Sequence, residues 1–204
     1  MAETSGGLGI RERTRRAVRA ELLTVAMDLF ADKGYDATTI DEIVAAAGMS
    51  RSSFFRYFTC KEDIVLGHLQ AIGQTLADAL ARRPADEDEW TALRRAFDDV
   101  LLAYHARDPQ HALALRHMLE SNPVLLAGNL EKQCRWHDQL IPHITPRLAP
   151  APADSDTDAR ATAVIGAALA CLEAANRAWR ATNGQASLDK ILDDVMRAVR
   201  PGAF

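Results

Sequence analysis

Apolar residues recur along most of this chain at the three- and four-residue spacing of amphipathic helices, and one short pair of helices stands out near the N-terminus. Thr39 and Glu42 have the spacing of a capping box at the start of the first helix. Gly48 follows the last apolar position, where a helix stop favours glycine, and Ser50 can cap a second helix soon after it. The pattern therefore predicts two helices joined by a tight turn, a helix-turn-helix. The apolar face of the first helix is formed by Ile40, Ile43, Val44 and Ala47.

The other periodic stretches predict more helices and no strand of useful length. One long helix ends near residue 33, and Thr59 with Glu62 forms a second capping box that opens a helix reaching about residue 82. Further helices are predicted over about 87–107, 110–121, 123–141, 158–182 and 187–199. Pro142 and Pro146 are expected to kink or end the helix that precedes them, and residues 149–157 form a mobile linker. The fold class is therefore predicted to be all-α, with about nine helices.

The second helix of the pair, predicted over 50–58, has few residues suited to a protein core. Phe54 and Phe58 are four residues apart and can form its buried side. The segment from Ile43 through Lys61 contains no acidic residue. Outward hydroxyl, guanidinium and aromatic groups suit the major groove of DNA, and the alternative is the solvated face of an ordinary bundle helix. The outward residues are Arg51, Ser52, Ser53, Phe55, Arg56 and Tyr57.

The segment DLFADKGYDATTIDEIVAAAGMSRSSFFRYFTCKEDIV resembles the N-terminal domain of the TetR family of bacterial transcriptional regulators, with a dense match over about residues 15–66. The position of Phe55 is commonly Tyr in that family, so Phe55 offers van der Waals contact and Tyr57 would supply the hydroxyl contact. By position, the resemblance implies DNA contacts at Thr39, Arg51, Ser52, Ser53, Phe55, Tyr57 and Lys61. Ser50 and Arg56 complete the predicted DNA-binding set.

The same resemblance implies a ligand-responsive regulator, with repression as its expected mode, that binds a near-palindromic operator as a dimer. Residues 1–10 are small and Gly-rich and are expected to be disordered. Residues 11–62 would form the DNA-binding domain and residues 63–204 the effector-binding and dimerisation domain. The helix that opens at Thr59 would couple the two functions.

Because the chain as a whole is acidic, the argument for DNA binding rests on where its basic residues lie. The chain has 204 residues, a net charge of −4 and 48% hydrophobic residues, as in an ordinary globular protein. The arginines at 11, 13, 15, 16 and 19 lie close together, and they form either an arm on phosphates or a solvated helix start. Three separated cysteines without a C-x-x-C pair, and no long apolar segment, lead us to expect a cytoplasmic protein without a membrane partner.

Two C-terminal helices are candidates for a dimer interface. The first is rich in small residues that permit close helix approach, and the second has a continuous apolar stripe. Together they resemble the four-helix dimer interface of the TetR family, and the alternative is that both close the core of one subunit. The small residues are Ala159, Ala163, Gly166, Ala167, Ala170, Ala174 and Ala178, and the stripe is Leu188, Ile191, Leu192, Val195 and Val199.

The helices between 87 and 182 carry more aromatic and apolar residues than a minimal bundle needs, which favours a pocket for a small, largely apolar effector. The alternative is that each of these residues is plain core. The predicted effector pocket comprises Trp90, Phe97, Leu101, Tyr104, His105, His117, Met118, Trp136, Asn176 and Trp179. Leu115, Leu119, Leu140 and Arg177 are further candidates for its wall.

Catalytic chemistry has little support in the sequence. His117 with Glu120 and Cys134 with His137 are pairs at helical spacing, yet no recognised metal or nucleophile motif and no phosphate-binding loop is present. We therefore predict no enzyme activity, no cofactor and no metal. A second hypothesis is a ligand-binding or enzymatic helical bundle, which predicts turnover or metal binding and no sequence-selective affinity for DNA.

Overall fold

The computed structural model describes residues 9–102, 105, 108–150 and 155–201, and this part of the chain is helical and contains no strand. Nine α-helices lie in these ranges, which confirms the predicted all-α class. They are α1 (Ile10–Lys33), α2 (Ile40–Ala46), α3 (Arg51–Phe54), α4 (Glu62–Ala81), α5 (Glu89–Phe97), α6 (Pro109–Ser121), α7 (Pro123–Ile144), α8 (Thr157–Ala181) and α9 (Leu188–Val199). None of the described helices is both long enough and apolar enough to cross a membrane.

Two local predictions differ from the structure. The helix expected over 87–107 begins after Asp88, which caps it, and changes to a π-helical turn at Asp98–Leu102. α7 continues through Pro142 to Ile144. The missing Pro142 N–H costs only one bond, to the carbonyl of the exposed Asp138, and water can satisfy that group. The loop prediction over 149–157 includes residues 151–154, which lie outside the described residues.

The cap of α4 is also different from the predicted Thr59–Glu62 box. The Thr59 backbone N–H donates to Asp63 Oδ2 at 2.8 Å, and the Thr59 hydroxyl bonds the same carboxylate. Glu62 instead accepts the Tyr35 hydroxyl at 2.7 Å. The prediction was wrong because Tyr35, distant in sequence, competes for the glutamate.

The chain divides between Val65 and Leu66 into two compact units. In the first unit, α1, α2 and α3 enclose a small apolar core. Leu22, Ile43 and Phe54 have no exposed surface, and Phe30 packs edge-on against Tyr35 with ring centroids 5.0 Å apart. This core fixes the position of the short turn between α2 and α3.

In the second unit, α8 is the central helix and packs against α5, α6, α7 and α9. Arg94 of α5 is 6% exposed and binds three carboxylates, one on the π-helical turn and two on α9. Arg94 Nε lies 2.7 Å from Asp193 Oδ1, and its other partners are Asp98 and Asp189. An almost buried guanidinium therefore connects α5 to α9.

The C-terminal end of α4 is held by one side chain. Arg147 follows α7 and donates to the carbonyl oxygens of Leu80, Arg83, Pro84 and Glu87 at 2.5–3.5 Å. The last carbonyls of a helix have no partner within the helix. Leu80 is in the last turn of α4 and the other three acceptors lie after it, so Arg147 joins the end of α4 to the start of α5.

Candidate nucleic-acid interface

The N-terminus of α2 is fixed by reciprocal bonds, as its capping-box spacing predicts. The Glu42 N–H donates to Thr39 Oγ1 at 3.3 Å, and the Thr39 N–H donates to Glu42 Oε2 at 2.8 Å. The Lys33 ammonium also binds Glu42, and that bond with those from Thr39 lowers the pKa of Glu42 to about 2. Thr39 thus holds the helix start, although its side chain remains exposed.

The turn between α2 and α3 has the backbone that its sequence predicts. Gly48 has a φ of 63°, a left-handed conformation that a side chain would strain. Met49 N–H then donates to the Val44 carbonyl at 2.9 Å. Ser50 Oγ accepts the Ser53 N–H at 3.1 Å and caps α3. The second helix consequently starts immediately after the first ends.

The second helix is shorter than the predicted span of 50–58. Regular α-helix ends at Phe54, and a tighter turn follows in which Tyr57 N–H donates to the Phe54 carbonyl at 2.8 Å. Phe58 N–H donates to the same carbonyl at 3.1 Å. Phe54 and Phe58 are both buried, as expected, so the burial of two aromatic rings organises the segment more than regular helical bonding does.

The opposite side of this segment is exposed and basic. Arg51, Ser52 and Arg56 are exposed, and Phe55 keeps 46% of its surface in solvent. The Arg51 guanidinium lies 5.9 Å from the Phe55 ring centroid, and that of Arg56 lies 5.7 Å from the Tyr57 ring. Flat guanidinium and aromatic groups on one surface are suited to phosphates and base edges.

Asp41, which the sequence analysis did not consider, holds Arg51 in the free protein. Arg51 Nη1 lies 2.9 Å and 3.1 Å from the two carboxylate oxygens of Asp41. Both side chains are more than 60% exposed, so the ion pair is worth at most about 1 kcal/mol. A base contact is worth about 1–3 kcal/mol and can therefore displace it. The sequence feature that could have predicted this ion pair is an acidic residue, Asp41, in the first turn of α2 next to a basic α3.

Lys61 is engaged with the protein. Its ammonium donates to the Tyr35 carbonyl at 2.6 Å and the Thr38 carbonyl at 3.0 Å, and lies 4.0 Å from the Tyr35 ring centroid. Two of its three donors are thus used to hold the connection between α1 and α2. The Ser50 hydroxyl likewise bonds those of Ser52 and Ser53, each at 3.0 Å.

The arginines of α1 divide into two groups. Arg11 and Arg15 are exposed and line a shallow groove of about 330 Å³ with Arg56 and Tyr57. Arg19 instead donates from Nη1 to the Tyr57 carbonyl at 2.6 Å, with its guanidinium 4.4 Å from the Phe58 ring centroid. Arg19 therefore positions the end of residues 51–57, which we call the recognition segment.

The predicted effector residues lie in the second unit, and most are part of its core. Trp90, Phe97, Leu101, Met118, Trp136 and Trp179 are buried, as are His105 and Asn176. His105 packs edge-on against Trp179 at 5.0 Å. His117 is exposed, and Tyr104 lies outside the described residues.

One side chain of each candidate metal pair has another partner. Glu120 binds Arg180, and His137 Nδ1 lies 2.9 Å from the Gln133 carbonyl. Across the described ranges, His, Cys, Asp and Glu do not gather in any group of three or more suited to a metal ion.

Two family models match the chain. Residues 22–67 match the model for bacterial regulatory proteins of the tetR family, and residues 87–203 match the MftR C-terminal domain.

The sequence is similar to known regulators along most of its length. It is 29% identical to the HTH-type transcriptional regulator TcmR of Streptomyces glaucescens, over 98% of this chain and 91% of that protein. It is 31% identical to the HTH-type transcriptional repressor Rv3405c of Mycobacterium tuberculosis, over 76% of this chain and 71% of that protein.

The fold is similar to the crystal structure of Thermus thermophilus FadR, a TetR family transcriptional repressor in complex with lauroyl-CoA. The TM-score is 0.61 at 23% identity, covering 91% of this chain and 95% of that one.

Proposed function

Because this chain belongs to the tetR family of bacterial regulatory proteins and is a DNA-binding transcriptional regulator, we propose that it is a homodimeric repressor that a small apolar molecule releases from a near-palindromic operator. Regulators of this family bind DNA operators, act as dimers and bind small-molecule ligands. The proposal concerns the operator form, the residues in contact, the dimer face and the effector of this chain.

The DNA-contact proposal rests on the exposed side of residues 51–57. Arg51, Ser52, Phe55 and Arg56 project from a segment whose two buried rings hold it in place. Arg51 and Ser52 would reach base edges, and Arg56 with Tyr57 would contact phosphate. Thr39 and Ser50, whose hydroxyls donate within the unit, would act by fixing the surface. Ser53 and Lys61 would also act through their remaining donors.

The dimer proposal rests on the outer face of α8. Ala170, Ala174, Ala178 and Ala181 line a shallow surface groove of about 520 Å³ with Glu173 and Arg177. A second copy with α8 and α9 against this face would form a four-helix interface. A two-fold pair places its recognition segments in half-sites about 34–36 Å apart, which explains the near-palindromic operator.

The effector proposal concerns the second unit, residues 66–204, whose helices contain the predicted aromatic residues. The complex of Thermus thermophilus FadR with lauroyl-CoA supports a ligand with an apolar chain. α4 begins in the first unit and continues into the second, so a shift of α4 would couple effector to operator. The ligand can act only through a difference in affinity for the two states.

Selection of duplexes from a random pool tests the DNA function without a known operator. The selected sequences should be near-palindromic, and Arg51→Ala should weaken binding to them about tenfold or more, since a bidentate base contact is worth about 1–3 kcal/mol per subunit. Arg82→Ala, an exposed arginine of the second unit, is the matched control and should change little. Unchanged affinity of the Arg51 variant would show that the recognition segment is assigned incorrectly.

A further inference from the structure

A lysine stands within the buried stripe of α7. The buried residues of this helix are Leu125, Lys132, Trp136, Leu140 and Ile144, which recur at helical spacing on one face. Lys132 is 3% exposed, and within the part of the chain that the structure describes its Nζ has no hydrogen-bond partner. Buried ammonium groups are almost always paired, because burial removes them from water. A position that suits leucine is therefore occupied by an unpaired donor.

A second donor lies one turn further along the same face. Trp136 Nε1 is buried, and no acceptor reaches it in the described ranges. The indole lies directly on the α4 backbone, since a Cβ built on Gly73 would be only 2.1 Å from Trp136 Nε1. Residues four apart on a helix are neighbours on its surface, so these two buried donors belong to side chains on one face of α7.

The surroundings of this pair disfavour positive charge in the free protein. Burial, aided by Lys132, lowers the pKa of His68 on α4 to about 4, so the imidazole is neutral at pH 7. Burial also lowers the pKa of Lys132 to about 7, with Arg135 adding to the effect and Glu131 opposing it. An anion bound beside Lys132 would favour the ammonium form and raise that pKa again.

We propose that Lys132 Nζ and Trp136 Nε1 bind the carboxylate of an amphiphilic effector whose apolar chain lies among the buried residues of the second unit. A carboxylate supplies an acceptor oxygen for each of the two N–H donors. It also supplies the negative charge that would stabilise Lys132 as an ammonium. Leu66 packs against Gly128 on the same helix pair, so the surroundings of the site are apolar. This inference rests on the proposed function, because it specifies the chemistry of that effector.

Calorimetric titration with a matched series tests the proposal. Straight-chain carboxylates of eight to fourteen carbons, below their micelle concentrations, are compared with alcohols of the same length. The wild-type dimer should bind at least one carboxylate roughly tenfold more tightly than its alcohol. At pH 8, binding should take up close to one proton per subunit, measured from the dependence of the heat on the buffer, because Lys132 becomes charged.

Three variants separate the site from general effects on the protein. Lys132→Met should lose carboxylate affinity roughly tenfold to a hundredfold and lose the proton uptake. Arg82→Met removes the same charge from an exposed position outside α7 and should retain both. Trp136→Phe keeps the ring and removes only the N–H, and should weaken binding several-fold, which provides a test even if Lys132→Met does not fold.

Several outcomes would overturn the proposal. They are equal affinity for carboxylates and alcohols, absence of carboxylate binding over the whole series, or carboxylate binding by wild type without proton uptake at pH 8. The proposal would also be overturned if Lys132→Met bound the carboxylate with the affinity of wild type. DNA binding by the same preparations is measured separately: failure to select any operator would refute the regulator, whereas operator binding with no carboxylate preference would refute only this site.

Discussion

Arg15 and Arg19 lie one turn apart on α1, and the structure predicts opposite consequences of replacing them with methionine. Arg19 bonds the Tyr57 carbonyl at 2.6 Å and stacks on Phe58, whereas Arg15 is exposed at the groove beside Arg56. Arg19→Met keeps much of the apolar packing but removes a charge-assisted hydrogen bond and a cation–π contact. Arg15→Met removes only an exposed charge.

The expected magnitudes follow from these contacts. The hydrogen bond of Arg19 is half-buried and is worth about 1.5 kcal/mol, and the ring contact adds about 0.5 kcal/mol. Arg19→Met should therefore destabilise the first unit by about 2 kcal/mol and weaken operator binding without changing its salt dependence. We propose that Arg15, exposed beside Arg56, contacts a phosphate. Arg15→Met should then leave stability within about 0.5 kcal/mol and lower the slope of log K against log salt by about 0.9 per subunit.

Fluorescence anisotropy on a selected operator over a salt series gives the slopes, and chemical denaturation gives the stabilities. Wild type and Arg82→Met, which changes an exposed arginine elsewhere, are the controls. The reasoning would be refuted if Arg19→Met lowered the salt slope as much as Arg15→Met while its stability stayed at the wild-type value. Arg19 would then be a phosphate ligand.

Three further predictions concern stability. Arg94→Met should cost roughly 3 kcal/mol in denaturant unfolding, since three carboxylates lose their shared cation, and an unchanged midpoint would contradict the network. Arg147→Met should cost about 2 kcal/mol by freeing the carbonyls between α4 and α5, which a melting curve identical to that of Arg82→Met would disprove. The hydrogen bond from Arg83, supported by Arg95, lowers the pKa of Glu87 to about 2. Its stabilising effect is present above pH 5 and lost between about pH 4.5 and 2, so Glu87→Gln should flatten this acid limb, whereas Glu131→Gln, at an exposed site, should not.

Local chemistry in the sequence was enough to predict the central motif. The Thr39–Glu42 box, the left-handed Gly48 and the Ser50 cap depend on residues within a few positions of one another, and the structure has all three. The same local reasoning failed at Thr59 and Glu62, because Tyr35 takes the glutamate and Asp63 replaces it. A cap is predictable when no distant residue competes for its side chains.

The sequence by itself determined the all-α class, the position of the helix-turn-helix and the aromatic pair that fixes it, because helical periodicity and caps are properties of adjacent residues. Only the tertiary structure decided which arginines of α1 remain exposed and that Arg19 anchors the recognition segment. It also decided that Arg51 is held by Asp41 and that Lys132 is buried with no hydrogen-bond partner among the described residues. These facts depend on distances between elements far apart in the chain, and a charged side chain carries no local signal of the partner that it meets after folding.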